Sequence, residues 1–473
     1  MALRRRLKAE TCAVALVLAA GLALRLYYLF LPVVTDDDTA AYSQLANNWF
    51  HHGVYGFVHA GRIVPSLVRL PGYPLFLGVM FAIFGPGHIR PALLLQALID
   101  LGGCWLLFDC LRAEVSRRAA WAGLLLAVFC PLTAAYTAAG MTESLSIACV
   151  SLAIWSLAKF ARAARTGQAS LAPLFVLAAA TGYATLLRPD GALLLAVFAA
   201  AAFWYGRAGL GAARSLRLGM LVALLAALPL VPWTLRNARD FHVFQPLAPP
   251  EANNPGEFSP RGFHRWMRTW TIDYLDTDNV AWNQVGFIDP NDIPPRACSS
   301  AQECRATMAL IAEHNQLHEV TPALDTQFAA LAAERIREHP LDYYIVMPAL
   351  RIADMWLRPR TELFDIDDDW WHFSDNPVDS VLAILLGLVN LGYVVLAAWG
   401  FLRRRVPLAG ALLLYMLLRS VVIATMPNPE QRYTMECFPM LILAAACVFA
   451  GDRRAVGGGL SAAVAEAPSD IAA

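Results

Sequence analysis

Three adjacent aspartates, Asp36, Asp37 and Asp38, are the side chains of this sequence best suited to accept a proton. Neighbouring carboxylates repel one another, which raises at least one pKa and makes that group a candidate general base. Tyr42 follows four residues after Asp38, at the start of an amphipathic segment typical of a helix at a membrane surface. The alternative interpretation is that the acidic groups only cap this helix.

A fourth carboxylate, Glu143, stands at the outer end of an apolar segment. A carboxylate at membrane depth is costly and is usually functional. Helix capping by Thr142 and Glu143 is again the alternative. In the next outer turn Arg188 is followed by Pro189 and Asp190, and a structural pair between Arg188 and Asp190 is expected.

Three arginines are candidates for binding a phosphate. Arg432 stands at the start of the final apolar helix, where a positive side chain and a helix N-terminus suit an anion. Arg236 occupies a similar place at the exit of an earlier apolar segment. Arg69 precedes a turn made by two prolines and a glycine, from which it can bind a phosphate or reach toward lipid headgroups.

The composition indicates which elements must position these side chains. The 473 residues are 58% hydrophobic and 16% charged, whereas a soluble domain is about half apolar and a quarter charged. Apolar stretches long enough to cross a bilayer as helices recur, so a polytopic membrane protein is predicted. Its formal net charge of zero suggests no nucleic-acid partner. About ten spans are expected, over residues 11–33, 90–111, 119–139, 142–160, 171–187, 191–206, 217–235, 378–401, 406–424 and 435–450.

Clusters of basic residues predict the orientation in the membrane. They fall in residues 4–8, 112–118, 159–168, 206–217, 403–405 and 452–454, and such clusters mark cytoplasmic segments. Both termini are therefore expected in the cytoplasm, provided that the short apolar stretch 71–84 lies in the outer interface or re-enters it. The outer face is then formed mainly by residues 35–89 and 237–377.

The sequence divides into four predicted parts. These are an N-terminal transmembrane module (1–236) with its first outer loop (35–89), an extracytoplasmic loop domain (237–377), C-terminal transmembrane helices (378–451) and a disordered cytoplasmic tail (452–473). Cys298 and Cys304 are disulfide candidates if the loop domain faces an oxidising compartment. The tryptophans of this domain are expected to form the core of a folded cap, with sugar stacking and interface anchoring as alternatives.

The ordered motifs resemble those of the C-type (GT-C) membrane glycosyltransferases, the superfamily of the protein O-mannosyltransferases and the lipid A aminoarabinose transferase. The resemblance covers about residues 1–240 and 375–450, through Asp38 with Tyr42, Arg69-x-Pro71-x-Tyr73-Pro74, Thr142-Glu143, Arg188-Pro189, Trp233-x-x-Arg236-Asn237, and Arg432-Tyr433 before Pro439. It implies an all-α polytopic GT-C fold with about ten transmembrane helices, interfacial helices in the first outer loop and a mixed extracytoplasmic loop domain.

The resemblance also implies the chemistry. The superfamily uses a sugar linked to polyprenyl phosphate, at an active site on the periplasmic or lumenal face, and a bacterial inner membrane is expected here. Its catalytic base is an aspartate of the first outer loop. Asp38 matches best, but the choice among the three aspartates stays open because Thr39 replaces the usual Glu. Glu143 matches the acidic position of the second outer loop, and the remaining motif positions that support the substrate site are Tyr42, Tyr73, Arg188 and Tyr433.

Such a reaction needs a carboxylate for the acceptor's proton and cations for the departing phosphate, and it inverts the anomeric centre. A divalent cation between Asp38 and Glu143 is an open alternative, but no Cys/His spacing supports zinc. The acceptor (lipid, glycan or protein) and the sugar (hexose or pentose) are not indicated. The competing functions are a transporter or flippase of a lipid-linked or small substrate, and a glycan ligase or polymerase with a diphosphate-linked donor. A transporter is expected to show repeated halves, whereas these motifs collect on one face.

Overall fold

In the computed structural model, residues 2–31, 37–364, 366, 369–374, 376–426 and 428–451 are described, and they are mostly helical. Asp36, Asp365, Asp367, Asp368 and the predicted tail 452–473 lie outside the described residues, and Asp37 is described in its backbone only. The helices are α1 (Ala2–Phe30), α2 (Asp37–His52), α3 (Gly72–Phe84), α4 (Ile89–Glu114), α5 (Arg117–Val128), α6 (Pro131–Tyr136), α7 (Glu143–Arg165), α8 (Ala172–Leu187), α9 (Gly191–Leu210), α10 (Ala212–Ala227), α11 (Leu230–Phe241), α12 (Arg261–Met267), α13 (Tyr274–Asp276), α14 (Ala301–Leu317), α15 (Pro322–Glu338), α16 (Met347–Leu357), α17 (Pro377–Arg403), α18 (Ala409–Ala424) and α19 (Phe438–Cys447). Short 3-10 or π-helical turns cover Thr277–Ala281, Trp282–Gln284, Pro290–Asp292, Pro295–Ala297, Asp342–Val346 and Gln431–Cys437.

Five of the described helices are long and apolar enough to cross a membrane: Lys8–Phe30 of α1, then α4, α7, α9 and α17. The pair α10 and α11, bent by 44°, makes a sixth if it is counted as one span. Helices suit this environment because each backbone hydrogen bond is satisfied within the segment.

The predicted all-helical membrane fold is confirmed, but the count of full-length spans differs from the expected ten. The predicted span 119–139 is broken after Val128 and resumes at Pro131, which begins α6. The predicted spans 171–187 and 406–424 are the shorter apolar helices α8 and α18. The last predicted span begins with the 3-10 turn Gln431–Cys437 before α19. Hydropathy records the apolar segments but not these interruptions.

A buried ion pair joins two of the spanning helices. Arg25 of α1 is 1% exposed and lies 2.5 Å from Asp100 of α4. It also donates to the carbonyls of Gly21 and Val128. A charge inside the apolar bundle is tolerated only with such partners, so Arg25 has a structural role.

The first outer loop folds into two helices and a small hairpin. Strand β1 (Gly56–His59) pairs antiparallel with β2 (Arg62–Pro65), and the turn uses positive φ at Ala60 and Gly61. Helices α2 and α3 pack together, with the rings of Tyr42 and Tyr73 edge to face at 5.2 Å. Helix α3 approaches α8 so closely that a Cβ at Gly72 would clash with the carbonyl of Leu186.

The loop domain has a hydrophobic core of its own. Phe263, Trp266, Trp270 and Phe328 are fully buried in it, as the cap interpretation predicts, whereas Trp282 is 46% exposed. Its regular structure is helical, with one isolated bridge, Val285–Glu319, among the described residues. The sulfurs of Cys298 and Cys304 form a disulfide bond. Cys298 lies three residues before α14 begins, and Cys304 lies in the first turn of that helix.

Candidate active site

The centre of the candidate active site is Asp38, held between two arginines. Nη2 of Arg69 lies 2.7 Å from Oδ1 of Asp38, and Nη1 of Arg432 lies 3.0 Å from Oδ2. Asp38 belongs to the first turn of α2, Arg69 comes shortly before α3, and Arg432 lies in the 3-10 turn after α18. The fold thus brings together groups 394 residues apart in the chain.

The two arginines decide the protonation state of Asp38. Burial opposes ionisation of this carboxyl, but the positive charges of Arg432 and Arg69 outweigh it and hold its pKa below the usual value. Asp38 is therefore a carboxylate at neutral pH. Each of its oxygens faces a cation that can also bind a phosphate.

Arg432 has a second acidic partner that sequence reasoning did not single out. Its Nε lies 2.5 Å from Oε2 of Glu430, and the hydroxyl of Tyr433 donates to the other oxygen of Glu430. Burial raises the pKa of Glu430, although the positive charge of Arg432 opposes the shift. The arginine is thus fixed between two carboxyl groups, Glu430 and Asp38.

Glu143 does not contact Asp38 and lies in a neighbouring charge network. It is 1% exposed at the start of α7, and Nη1 of Arg188 lies 2.8 Å from its Oε1. The expected Arg188–Asp190 pair is present at 3.4 Å, and Nε of Arg188 also lies 3.3 Å from Glu436. This network links the N-terminal end of α7 and the C-terminal end of α8 to the turn that carries Arg432.

A second buried arginine completes the network. Arg419 of α18 lies 2.8 Å from Asp190 and 2.7 Å from Glu436, and it donates to the carbonyl of Tyr433. Its position inside an apolar segment is the sequence signal that could have identified it, because an ionisable residue there needs a partner. The partners themselves come from distant parts of the chain.

The tyrosines of the motifs form one wall of the site. The guanidinium carbon of Arg69 lies 6.0 Å from the centre of the Tyr42 ring, and burial raises the pKa of Tyr42 to about 12, so it stays a neutral hydroxyl. The hydroxyl of Tyr73 donates to Gln96, 3.0 Å away. Arg188 lies over the ring of Tyr433, 4.9 Å from its centre.

Arg236 does not join this group. Its guanidinium donates to the carbonyls of Tyr55 and Ser66, at 2.8 and 2.7 Å, and pairs with Asp240 at 2.9 Å. These contacts tie α11 to the β1–β2 hairpin. The geometry therefore gives Arg236 a structural role, and its contact with phosphate stays a prediction.

A divalent cation between Asp38 and Glu143 does not fit this donor set. The oxygens of Asp38 already contact Arg69 and Arg432, and Oε1 of Glu143 contacts Arg188, so a cation would have to sit among positive charges. The described ranges contain no group of three His, Cys, Asp or Glu side chains able to hold a metal ion.

Comparison with known proteins shows what the chain is similar to. Residues 65–233 match the family described as dolichyl-phosphate-mannose-protein mannosyltransferase. The archaeal oligosaccharyltransferase AglB from Archaeoglobus fulgidus, in complex with an inhibitory peptide and a dolichol-phosphate, aligns with a TM-score of 0.50 at 14% identity, covering 98% of this chain and 53% of AglB. The apo form of the Archaeoglobus fulgidus oligosaccharyltransferase aligns with a TM-score of 0.51 at 15% identity, covering 95% of this chain and 52% of the oligosaccharyltransferase. ArnT from Cupriavidus metallidurans in the apo state aligns with a TM-score of 0.41 at 16% identity, covering 93% of this chain and 78% of ArnT. No curated protein sequence matches.

The chain shares its fold with AglB, at 14% identity. Residues 65–233 are similar to the dolichyl-phosphate-mannose-protein mannosyltransferases, which belong to the superfamily that the ordered motifs resemble. This supports glycosyl transfer as the general activity. The chain spans about half the length of AglB.

Proposed function

We propose that this protein transfers a sugar from a polyprenyl-phosphate donor to an acceptor on the extracytoplasmic face, with Asp38 as general base. The observation that carries the proposal is the placement of Asp38 between Arg69 and Arg432. A site that moves a glycosyl group from a phosphate needs an anionic base and cations within reach of the same reacting centre. Both are present here, contributed by opposite ends of the chain.

The reaction proposed is a direct displacement. An oxygen of the acceptor attacks the anomeric carbon, the bond from that carbon to the phosphate oxygen breaks, and its electron pair leaves with the polyprenyl phosphate. Asp38 takes the proton of the acceptor hydroxyl. Arg432 and Arg69 stabilise the charge that develops on the leaving phosphate. Attack from the side opposite the phosphate inverts the anomeric configuration.

Asp38 becomes a stronger base when the donor binds, because the donor phosphate takes its place as partner of Arg69 or Arg432. In the free site both arginines lower the pKa of Asp38, which makes it a weak base. A bound phosphate competes for the same guanidinium groups. Once Arg69 or Arg432 turns to the phosphate, Asp38 loses part of its stabilisation and its affinity for a proton rises.

Other evidence supports the donor class and the orientation. The matching family is described by the words dolichyl-phosphate-mannose, and AglB was determined with a dolichol-phosphate. The clusters of basic residues favour cytoplasmic termini, which puts α2, α3 and residues 237–377 on the outer side. We infer an inner membrane of a bacterium as the location, and the division of the chain at residues 236, 377 and 451 as its domain organisation.

A donor panel tests the proposal. Purified protein in lipid nanodiscs is given radiolabelled polyprenyl-monophosphate sugars, polyprenyl-diphosphate sugars, and candidate acceptors. Transfer from a monophosphate donor, with inversion at the anomeric carbon and loss in Asp38→Asn, is the expected result. Transfer from diphosphate donors alone would favour a ligase or polymerase instead. Movement of a lipid-linked sugar across the bilayer without transfer would favour a flippase.

A further inference from the structure

The last segment of the loop domain, between α16 and α17, borders the candidate active site. Arg360, in this segment, is 2% exposed and donates to the carbonyl of Gln431 at 2.6 Å and to the hydroxyl of Thr434 at 2.5 Å. These two residues flank Arg432 closely in the chain. The segment is therefore fixed against the same 3-10 turn that carries the cation next to Asp38.

Glu362 of this segment has one carboxylate oxygen without a partner. Its Oε1 accepts a hydrogen bond from the hydroxyl of Tyr136, 2.8 Å away, and Nη1 of Arg360 lies 4.0 Å from the same oxygen. The side chain is 11% exposed, and Oε2 is buried with no hydrogen-bond donor in the described part of the chain. A buried oxygen of this kind is costly unless something donates to it.

A small cavity lies beside Glu362. It is lined by Tyr136, Arg360 and Glu362 together with the apolar side chains of Leu132 and Phe364, and it has room for little more than one water-sized group. Tyr136 lies within electrostatic range of both Glu143 and Arg432. The cavity therefore lies near the candidate active site, with a carboxylate at one end and apolar walls.

We propose that Glu362 accepts a hydrogen bond from one hydroxyl of the sugar that is transferred, and so helps to select the donor. This inference depends on the proposed function. The pocket matches a single neutral donor in size, and Arg360 already balances the charge of Glu362, so a hydroxyl fits better than an ammonium group.

The size of the effect follows from the kind of bond. A hydrogen bond to a charged group changes binding about tenfold to a hundredfold. A site built to pair with a hydroxyl also rejects the analogue without it, because its own polar group is then left unpaired. A trapped water molecule could fill the same cavity, but it would give no discrimination among sugars.

The test is a double-mutant cycle between Glu362 and the sugar. Undecaprenyl-phosphate mannose and its four singly deoxygenated analogues are compared in nanodiscs, by transfer kinetics and by equilibrium binding of the radiolabelled donors. The variants are Glu362→Ala and Glu362→Gln. The second keeps the size of the side chain and its bond to Tyr136, in case the first folds poorly. Glu114→Gln is the matched control. Glu114 pairs with Arg162 and Arg165 at the C-terminal ends of α4 and α7, whereas Glu143 begins α7 at its opposite end.

For one deoxy position we expect the wild type to lose about tenfold to a hundredfold in kcat/KM. With the intact donor, Glu362→Ala should have a kcat/KM as low as that of the wild type with the deoxy analogue. Replacing the intact donor by that analogue should then lower the kcat/KM of Glu362→Ala no further. Transfer in which no deoxy position is penalised, or in which the penalty persists in Glu362→Ala, would overturn this inference alone and leave the proposed function standing. A different outcome is that the deoxy donor binds more weakly than the intact donor but no sugar is transferred. That outcome would contradict the proposed function and not the role of Glu362.

Discussion

Arg432 and Arg69 contact the same carboxylate but should contribute unequally to catalysis. The Arg432 side chain is 12% exposed and its guanidinium is fixed by Glu430, whereas the Arg69 side chain is 38% exposed. Solvent screens an exposed charge more than a buried one. Arg432 should therefore stabilise the departing phosphate more strongly than Arg69 does.

Known magnitudes give the expected loss. Removal of a buried, preorganised donor to a developing oxyanion costs about 100- to 1000-fold in kcat. Arg432→Gln should fall in that range. A charged hydrogen bond of a half-exposed group contributes about 1.5 kcal/mol, or about tenfold, at the low end of its range, and Arg69→Gln should lose about that much.

The assay is single-turnover transfer from a radiolabelled polyprenyl-phosphate sugar, with donor binding measured separately. Arg432→Gln leaves Glu430 without its cation, so the double variant Arg432→Gln/Glu430→Gln is the folding control. It should restore thermal stability without restoring turnover. Equal losses in Arg432→Gln and Arg69→Gln, or recovery of turnover in the double variant, would refute the reasoning.

Three further predictions concern protonation and stability. Because Arg69 helps to lower the pKa of Asp38, Arg69→Gln should move the acid limb of kcat/KM, which reports the free enzyme, to higher pH. A pH–rate profile with an unmoved limb would contradict this. Arg351 is 2% exposed and donates to three backbone carbonyls of the loop domain and α18, so Arg351→Met should cost at least about 2 kcal/mol of stability; an unchanged melting temperature in detergent would count against it. The Cys298–Cys304 disulfide joins residues with a sequence separation of six. The cross-link lowers the entropy of the unfolded chain, which stabilises the fold by about 2 kcal/mol. Serine at both positions should speed proteolysis of the loop domain and leave sugar transfer intact, and equal proteolysis in the two proteins would argue against a stabilising role.

Local signals were sufficient to predict the membrane class and the parts of the site. Asp38, Arg69 and Arg432 each occupy a motif that could be recognised in the sequence, and the structure places them in direct contact. The resemblance to a known superfamily, rather than spacing alone, indicated that such distant motifs belong together. That Asp36 or Asp37 is the base stays a prediction, because Asp36 lies outside the described residues and Asp37 is described in its backbone only.

Other features could not be predicted because they depend on packing between distant elements. Arg236 and Arg432 have similar sequence settings, yet the carbonyls of the hairpin bind the guanidinium of Arg236. The pairing of Arg419 with Asp190 and Glu436 requires α18 to lie beside the turn before α9. The breaks within the predicted spans arise from local backbone geometry, which hydropathy averages over a whole window.

The most direct test of the central claim is single-turnover sugar transfer by Asp38→Asn in nanodiscs, in protein shown by equilibrium binding to take up the polyprenyl-phosphate donor as the wild type does. Asparagine keeps the shape of the side chain but cannot accept the proton of the acceptor. Normal donor binding with transfer reduced at least about a hundredfold is the result expected of a general base. Transfer at the wild-type rate in this variant would show that Asp38 is not the base.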